Sequence, residues 1–140
     1  MSDITAHVTS LELSRKLKKL GVKQDSYFYW ADWIEEKPEL EGGIECISTD
    51  HHFSAYLASE LGEMLPKALH NDGYNDSEFM LTIQYNLAEC WVSYTSSCGV
   101  DITEWIKYAS LPRGLALMLI HLIENDLVDD EWRAKWLESV

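Results

Sequence analysis

The segment from Leu111 to Ile123 constrains this chain more than any other, because Leu115, Met118, Leu119, Leu122 and Ile123 recur at helical spacing as one broad apolar stripe. Ser110 followed by Leu111 and Pro112 supplies an opening, since proline in a first turn gives up an N–H that has no partner there. So wide an apolar face has to be covered, and this is therefore expected to be the core helix. His121 interrupts the apolar run and charge flanks it, so it falls well short of a membrane span.

The rest of the chain supplies the cover. Thr9-Ser10-Leu11-Glu12 matches a capping box, with Val8 placed to meet Leu13 as a staple. A first helix is expected over Ser10 to Leu20, with Leu13, Leu17 and Leu20 on one side, lysines on the other, and Gly21 at a left-handed cap. Ser26 to Ile34 is dense in aromatic residues and predicts a strand. The acidic stretch Glu35 to Gly43 predicts an exposed loop, and Ile44 to Ser48 a short returning strand. A second helix is expected over Ser54 to Leu65, ended by Pro66.

Beyond a polar turn at His70 to Ser77, Phe79, Leu81, Ile83 and Tyr85 alternate with Met80, Thr82 and Gln84 as a strand. Cys90 to Thr95 is its hairpin partner, Ile102 to Ile106 a third short strand, and Asp129 or Asp130 caps a last helix carrying Trp132 and Trp136. Hairpin-length connections and the lack of a βαβ alternation predict one α+β domain over residues 1–140: a small antiparallel sheet of four to five strands packed against helices on one face.

Charge narrows the partners. Asp and Glu number 24 against 11 Lys and Arg, a net charge of -13 that opposes binding to nucleic acid or anionic lipid and steers a basic partner inward. Its distribution is uneven: Arg15, Lys16, Lys18, Lys19 and Lys23 carry five of the positive charges, while residues 30–63 hold nine carboxylates and one lysine. The basic run resembles the start of a helix-turn-helix reader, but a strand-like segment stands where the recognition helix would be, so a solvated lysine face is expected. Three cysteines without a C-x-x-C pair, and no leader-like N-terminus, suggest a reduced, cytoplasmic setting.

Motifs for chemistry are missing. His51 and His52 are the nearest thing to ligands or acid/base groups, with Cys46 close in sequence, but neighbouring residues of a strand face opposite ways, and a solvated loop pair is expected. Residues 70–78 lack the ligand spacing of a calcium loop, and Cys46, Cys90 and Cys98 stand next to no base. No catalytic residue, cofactor or metal site is expected. The expected partner-binding surface is the acidic stretch with its aromatic neighbours: Trp30, Trp33, Glu35, Glu36, Glu39, Glu41 and Glu45. Two alternatives are self-association through Trp132 and Trp136, and a small ligand- or metal-binding enzyme around His51 and His52.

Three blocks resemble a group of small uncharacterised proteins of bacteriophages and prophages. They are Ser10 to Ser14 with Leu17 to Gln24 and Tyr29-Trp30, then Glu60-Leu61-Gly62-Glu63-Met64-Leu65-Pro66, then Met118-Leu119-Ile120 with Leu122-Ile123-Glu124-Asn125. The seven-residue block ending in Pro66 is the most specific, and the order spans most of the chain. Leu57 stands where that group has a helix-capping threonine, and the segment after Val128 has no counterpart. The resemblance implies an accessory protein of the bacterial cytoplasm that binds a host or phage protein, with an inhibitor of a host or defence protein as the sharpest version. It brings no catalytic residues.

Overall fold

The apolar stripe turns out wider than an amphipathic helix needs. In the computed structural model it lies on α3 (Leu111–Glu124), where Pro112, Gly114, Leu115, Ala116, Met118, Leu119, Ile120, Leu122 and Ile123 are all buried. Besides Leu111 at its start, only a narrow line of one residue per turn, Arg113, Leu117, His121 and Glu124, reaches or approaches solvent. A helix buried almost all round needs cover on every side. One sheet cannot provide it.

The structure describes residues 7–24, 26–31, 39–42, 52–71, 77–85, 90–95, 106–108, 110–125, 127–128 and 130–137. Besides α3, they form α1 (Leu11–Lys19), β1 (Phe28–Ala31), β2 (Glu39–Gly42), β3 (His52–Ala55), α2 (Ala58–Met64), β4 (Ala68–Asn71), β5 (Ser77–Tyr85), β6 (Cys90–Thr95), β7 (Ile106–Tyr108) and α4 (Asp130–Trp136). The class is α+β with antiparallel pairing throughout, as expected. The strands, however, form two sheets and not one: a three-stranded sheet ordered β2-β1-β3, and a four-stranded meander ordered β4-β5-β6-β7.

The meander covers α3 from one side through β6 and β7, while α1 and α2 pack on α3 and α1 also packs on β3. Helices therefore lie between the two sheets, and one hydrophobic cluster joins Leu17, Leu61, Phe79, Val92, Tyr94, Leu119 and Trp136. Along β5 the predicted alternation holds but fades: Phe79 is buried, Leu81 half-buried and Ile83 exposed, while Met80 and Gln84 point to water on the other face.

Local signals explain the elements that were legible. Ser10 caps α1 by accepting the Leu13 N–H at 3.3 Å, one residue later than the expected box, which frees Thr9 for a different task. Gly21, at φ +91°, ends the helix with Gly21 N–H on the Lys18 carbonyl and Val22 N–H on that of Leu17. Those two bonds and the buried Leu17–Val22 pair make a Schellman motif. α2 lacks an N-cap side chain because Leu57 occupies the place, and Glu60 instead accepts the Leu57 N–H at 2.9 Å. The last helix, α4, is pinned by Trp136: its indole N–H donates to the Met64 carbonyl at 2.7 Å, and its own carbonyl accepts from Lys23 N–H at the same distance.

Tyr94 links the meander to the end of α2, donating its hydroxyl to the Pro66 carbonyl at 2.6 Å. Burial pushes this phenol up from its ordinary value, since a phenolate there would lose its hydration. The folded chain thus favours the protonated form more than the unfolded chain does, and this contribution is intact below about pH 10 and lost as pH rises toward the folded value. Tyr94→Phe should cost about 1–2 kcal/mol at pH 8 by removing a buried hydrogen bond, and should flatten the alkaline fall in stability. Urea unfolding at pH 8 and pH 10.5 checks both, and equal alkaline losses in the two proteins would contradict the assignment.

Candidate functional site

The three-stranded sheet is the part of the molecule whose two faces differ most. Antiparallel register puts Tyr29 level with Glu41 and Ser54, and Ala31 level with Glu39 and His52. The alternate rows are Trp30 with Leu40 and Phe53, and Phe28 with Gly42 and Ala55. Side chains directly opposite in a ladder share a face, so one face carries the acids, histidine and serine, and the other carries the large apolar groups.

Burial runs against the usual rule. On the polar face Tyr29, Ala31, His52 and Ser54 are buried while Glu39 is exposed and Glu41 half-buried; on the apolar face Ala55 is buried, but Phe28, Trp30, Leu40 and Phe53 are only half-buried. Next to Phe28, Tyr27 is 61% exposed, its ring edge-on to that of Phe28 at 4.8 Å between centroids. Gly42 lets both rings lie close: a Cβ there would stand 3.1 Å from the Phe28 ring and 3.5 Å from that of Tyr27.

Thr9, fully buried, fixes this aromatic face to α1. Its N–H donates to the Tyr56 carbonyl at 3.0 Å, its hydroxyl accepts from Tyr56 N–H at 3.1 Å and meets the Ser14 hydroxyl at 2.7 Å, and its carbonyl accepts the Trp30 indole N–H at 2.9 Å. Thr9 and Ser14 occupy the two staple positions of α1, joined by hydroxyls instead of hydrophobic contact. The outer edge of β3 is also spoken for, because Ser54 N–H donates to Gln24 Oε1 at 2.7 Å and Lys18 Nζ to the His52 carbonyl at 2.8 Å. Filling an edge with side chains blocks further strand pairing.

These positions correct several expectations. Trp30 does lie on the surface, but Glu39 and Glu41 sit on the opposite face of the sheet, so the acids and the tryptophan do not form one patch. Trp33, Glu35, Glu36, Glu45, Cys46, Cys98 and His51 lie outside the described residues, as does the predicted strand Ile44 to Ser48. The returning strand is β2, within the stretch expected to be a loop. His52 is no solvated loop residue: it is 4% exposed, its Nε2 lies 3.3 Å from Glu41 Oε2 across the small Ala31, and its ring meets that of Tyr29 edge-on.

The basic face of α1 is not purely solvated either, since Lys18 Nζ and the Arg15 guanidinium lie 4.7 and 5.5 Å from the Phe53 ring centroid. Trp136, expected as a self-association anchor, is 2% exposed and used within its own chain, while Trp132 is half-buried with Lys135 Nζ 4.4 Å from its ring. Among the described residues, no group of three His, Cys, Asp or Glu is placed to hold a metal, and no helix is long and apolar enough to cross a membrane.

Comparison of the chain with protein-family models, with curated proteins and with solved structures returns no match. The site therefore rests on its own geometry. Sequence reasoning missed Tyr27, Phe28, Leu40 and Phe53 as parts of it; the available signal was the two-residue period over Phe28 to Ala31, which needs the β1–β2 register before faces can be assigned, while Tyr27 stands just before the strand and follows no such period.

The contrast between the faces can be measured. Ala31→Leu forces a larger side chain between Glu41 and His52 and should destabilise by about 1–3 kcal/mol through overpacking. Leu40→Ala on the half-buried face should cost less, because part of that side chain stays in water after folding and its removal leaves no closed cavity. Urea midpoints in the opposite order would show the faces to be wrongly assigned.

Proposed function

We propose that the protein is a non-enzymatic protein-binding module that docks its partner on the aromatic face of the first sheet. The observation that carries this reading is the uneven burial of that sheet: His52 and Ser54 are buried on one face, while Phe28, Trp30, Leu40 and Phe53 on the other are only half-buried, with the exposed Tyr27 beside them. Burying polar groups while large apolar ones on the other face stay only half-buried opposes folding, and a contact surface gives such an arrangement a purpose. Aromatic side chains bring large contact area at little entropic cost, which is why they concentrate in binding hot spots.

The net charge of -13 supports a protein partner with a basic surface over nucleic acid or an anionic membrane. The resemblance to phage and prophage accessory proteins supports a host or phage protein as that partner, in the bacterial cytoplasm, with inhibition of a host or defence protein as the working role. Self-association through the C-terminal tryptophans is less favoured, since Trp136 is committed to Met64 and Lys23.

The test uses the protein as bait in bacterial lysate beside two variants checked for folding: Tyr27→Ala with Leu40→Ala, and charge reversal at Glu35, Glu36, Glu39 and Glu41. A partner enriched by the wild type should be lost from the aromatic variant and weakened by raised salt. If the aromatic variant retains that partner and only the charge reversal loses it, the acidic stretch is the surface and this reading fails.

A further inference from the structure

A depression of about 500 Å³ adjoins the aromatic face, lined by Ser26, Tyr27, Glu60, Glu63 and Met64. It belongs to the start of β1 and to the seven-residue block of α2, two segments that a hydrogen bond already joins: Glu60 Oε2 accepts the Tyr27 N–H at 3.0 Å while Oε1 accepts that of Leu57 at 2.9 Å. The Glu60 carboxylate is thereby fixed by backbone donors from two elements. Each of its oxygens keeps a second lone pair, because one N–H uses only one. Glu63 follows three residues later, on the same side of the helix, and is exposed.

We propose that this depression receives one cationic side chain, an arginine or a lysine, of the protein that docks on the aromatic face. The proposal rests on the docking reading and adds the chemistry of the contact. A cation placed there meets two carboxylates, one of them held in place, beside an exposed tyrosine ring and a polarizable methionine sulfur. Among the described residues, no lysine or arginine lines the depression to neutralise it. An anionic group would be repelled by both glutamates, and a neutral donor could hydrogen-bond to them but would leave their charge uncompensated. Capping explains why Glu60 is present at the first turn of α2, but not why a 61% exposed aromatic ring borders the same carboxylate.

Glycine at position 42 lets the Tyr27 and Phe28 rings lie close to β2, so Tyr27 borders both the depression and the aromatic face. A partner seated on Phe28, Trp30 and Leu40 would present its next side chain at Tyr27. The occupant is therefore a basic residue flanked by apolar ones.

The experiment titrates the isotope-labelled full chain with N-acetyl-arginine methylamide, its lysine counterpart and the uncharged N-acetyl-citrulline methylamide, following backbone amide resonances. The arginine or lysine probe should give saturable shifts centred on Ser26, Tyr27, Glu63 and Met64, and the citrulline probe none. Glu63→Gln and Tyr27→Ala should each weaken binding about two- to fivefold, with dispersed spectra showing that both variants fold. No saturable shift, equal shifts from citrulline, or shifts scattered over the acidic surface and indifferent to Glu63→Gln would overturn the proposal. Because the probes need no partner, that failure is separate from failure of the aromatic face in the lysate experiment.

Discussion

Everything in this fold depends on the need to cover α3. A helix buried on one face can rest on a single sheet, but one with Pro112, Ala116 and Ile120 buried as well as Leu115, Leu119 and Leu122 must be surrounded. The meander takes one side, and α1 and α2 take the other. Once α1 is packed on α3, its outer side needs a surface too, and the three-stranded sheet supplies it through β3. The two-sheet arrangement is thus a consequence of one helix. At roughly 25 cal/mol per Å² of apolar surface removed from water, that helix and its neighbours dominate the stabilisation.

What the covering leaves over is the candidate surface. α1 approaches the aromatic side of the small sheet from the β3 edge, where Ala55 is buried and Phe53 lies under Lys18 and Arg15. Toward β2 the same face opens, through Trp30 and Leu40 to Phe28 and the exposed Tyr27. Thr9 holds this geometry, because its N–H, carbonyl and hydroxyl engage Tyr56, Trp30 and Ser14. A surface fixed by buried hydrogen bonds loses little freedom on binding, which favours recognition by a preformed face.

The helices were legible because their signals are local, except that α2 begins four residues later than expected, Ser54 and Ala55 belonging to β3. A capping serine, a glycine after the last lysine and a repeating apolar spacing are all contained within a few residues, and the hairpin of β5 and β6 shows the same locality. The small sheet was not legible because its pattern is inverted. His52-Phe53-Ser54 alternates polar, apolar, polar, which read alone puts Phe53 inside, whereas His52 is buried on Glu41 and the pleat carries Ser54 to the same face. The split between Trp30 and Glu41 is a matter of register, and register shifts by one residue exchange the faces. No composition argument could separate two residues that differ only by which way the pleat turns them.

Tyr27 and Tyr29 test the central claim most directly, being one residue type, two positions apart, at 61% and 5% exposure. Hydroxyl-radical footprinting of the folded protein, read by mass spectrometry, compares their side chains under identical chemistry. Tyr27 should be oxidised many times faster than Tyr29, with Tyr56 and Tyr94 as protected as Tyr29. Equal rates at Tyr27 and Tyr29, or a faster Tyr29, would mean that the polar face is the open one and would contradict the account.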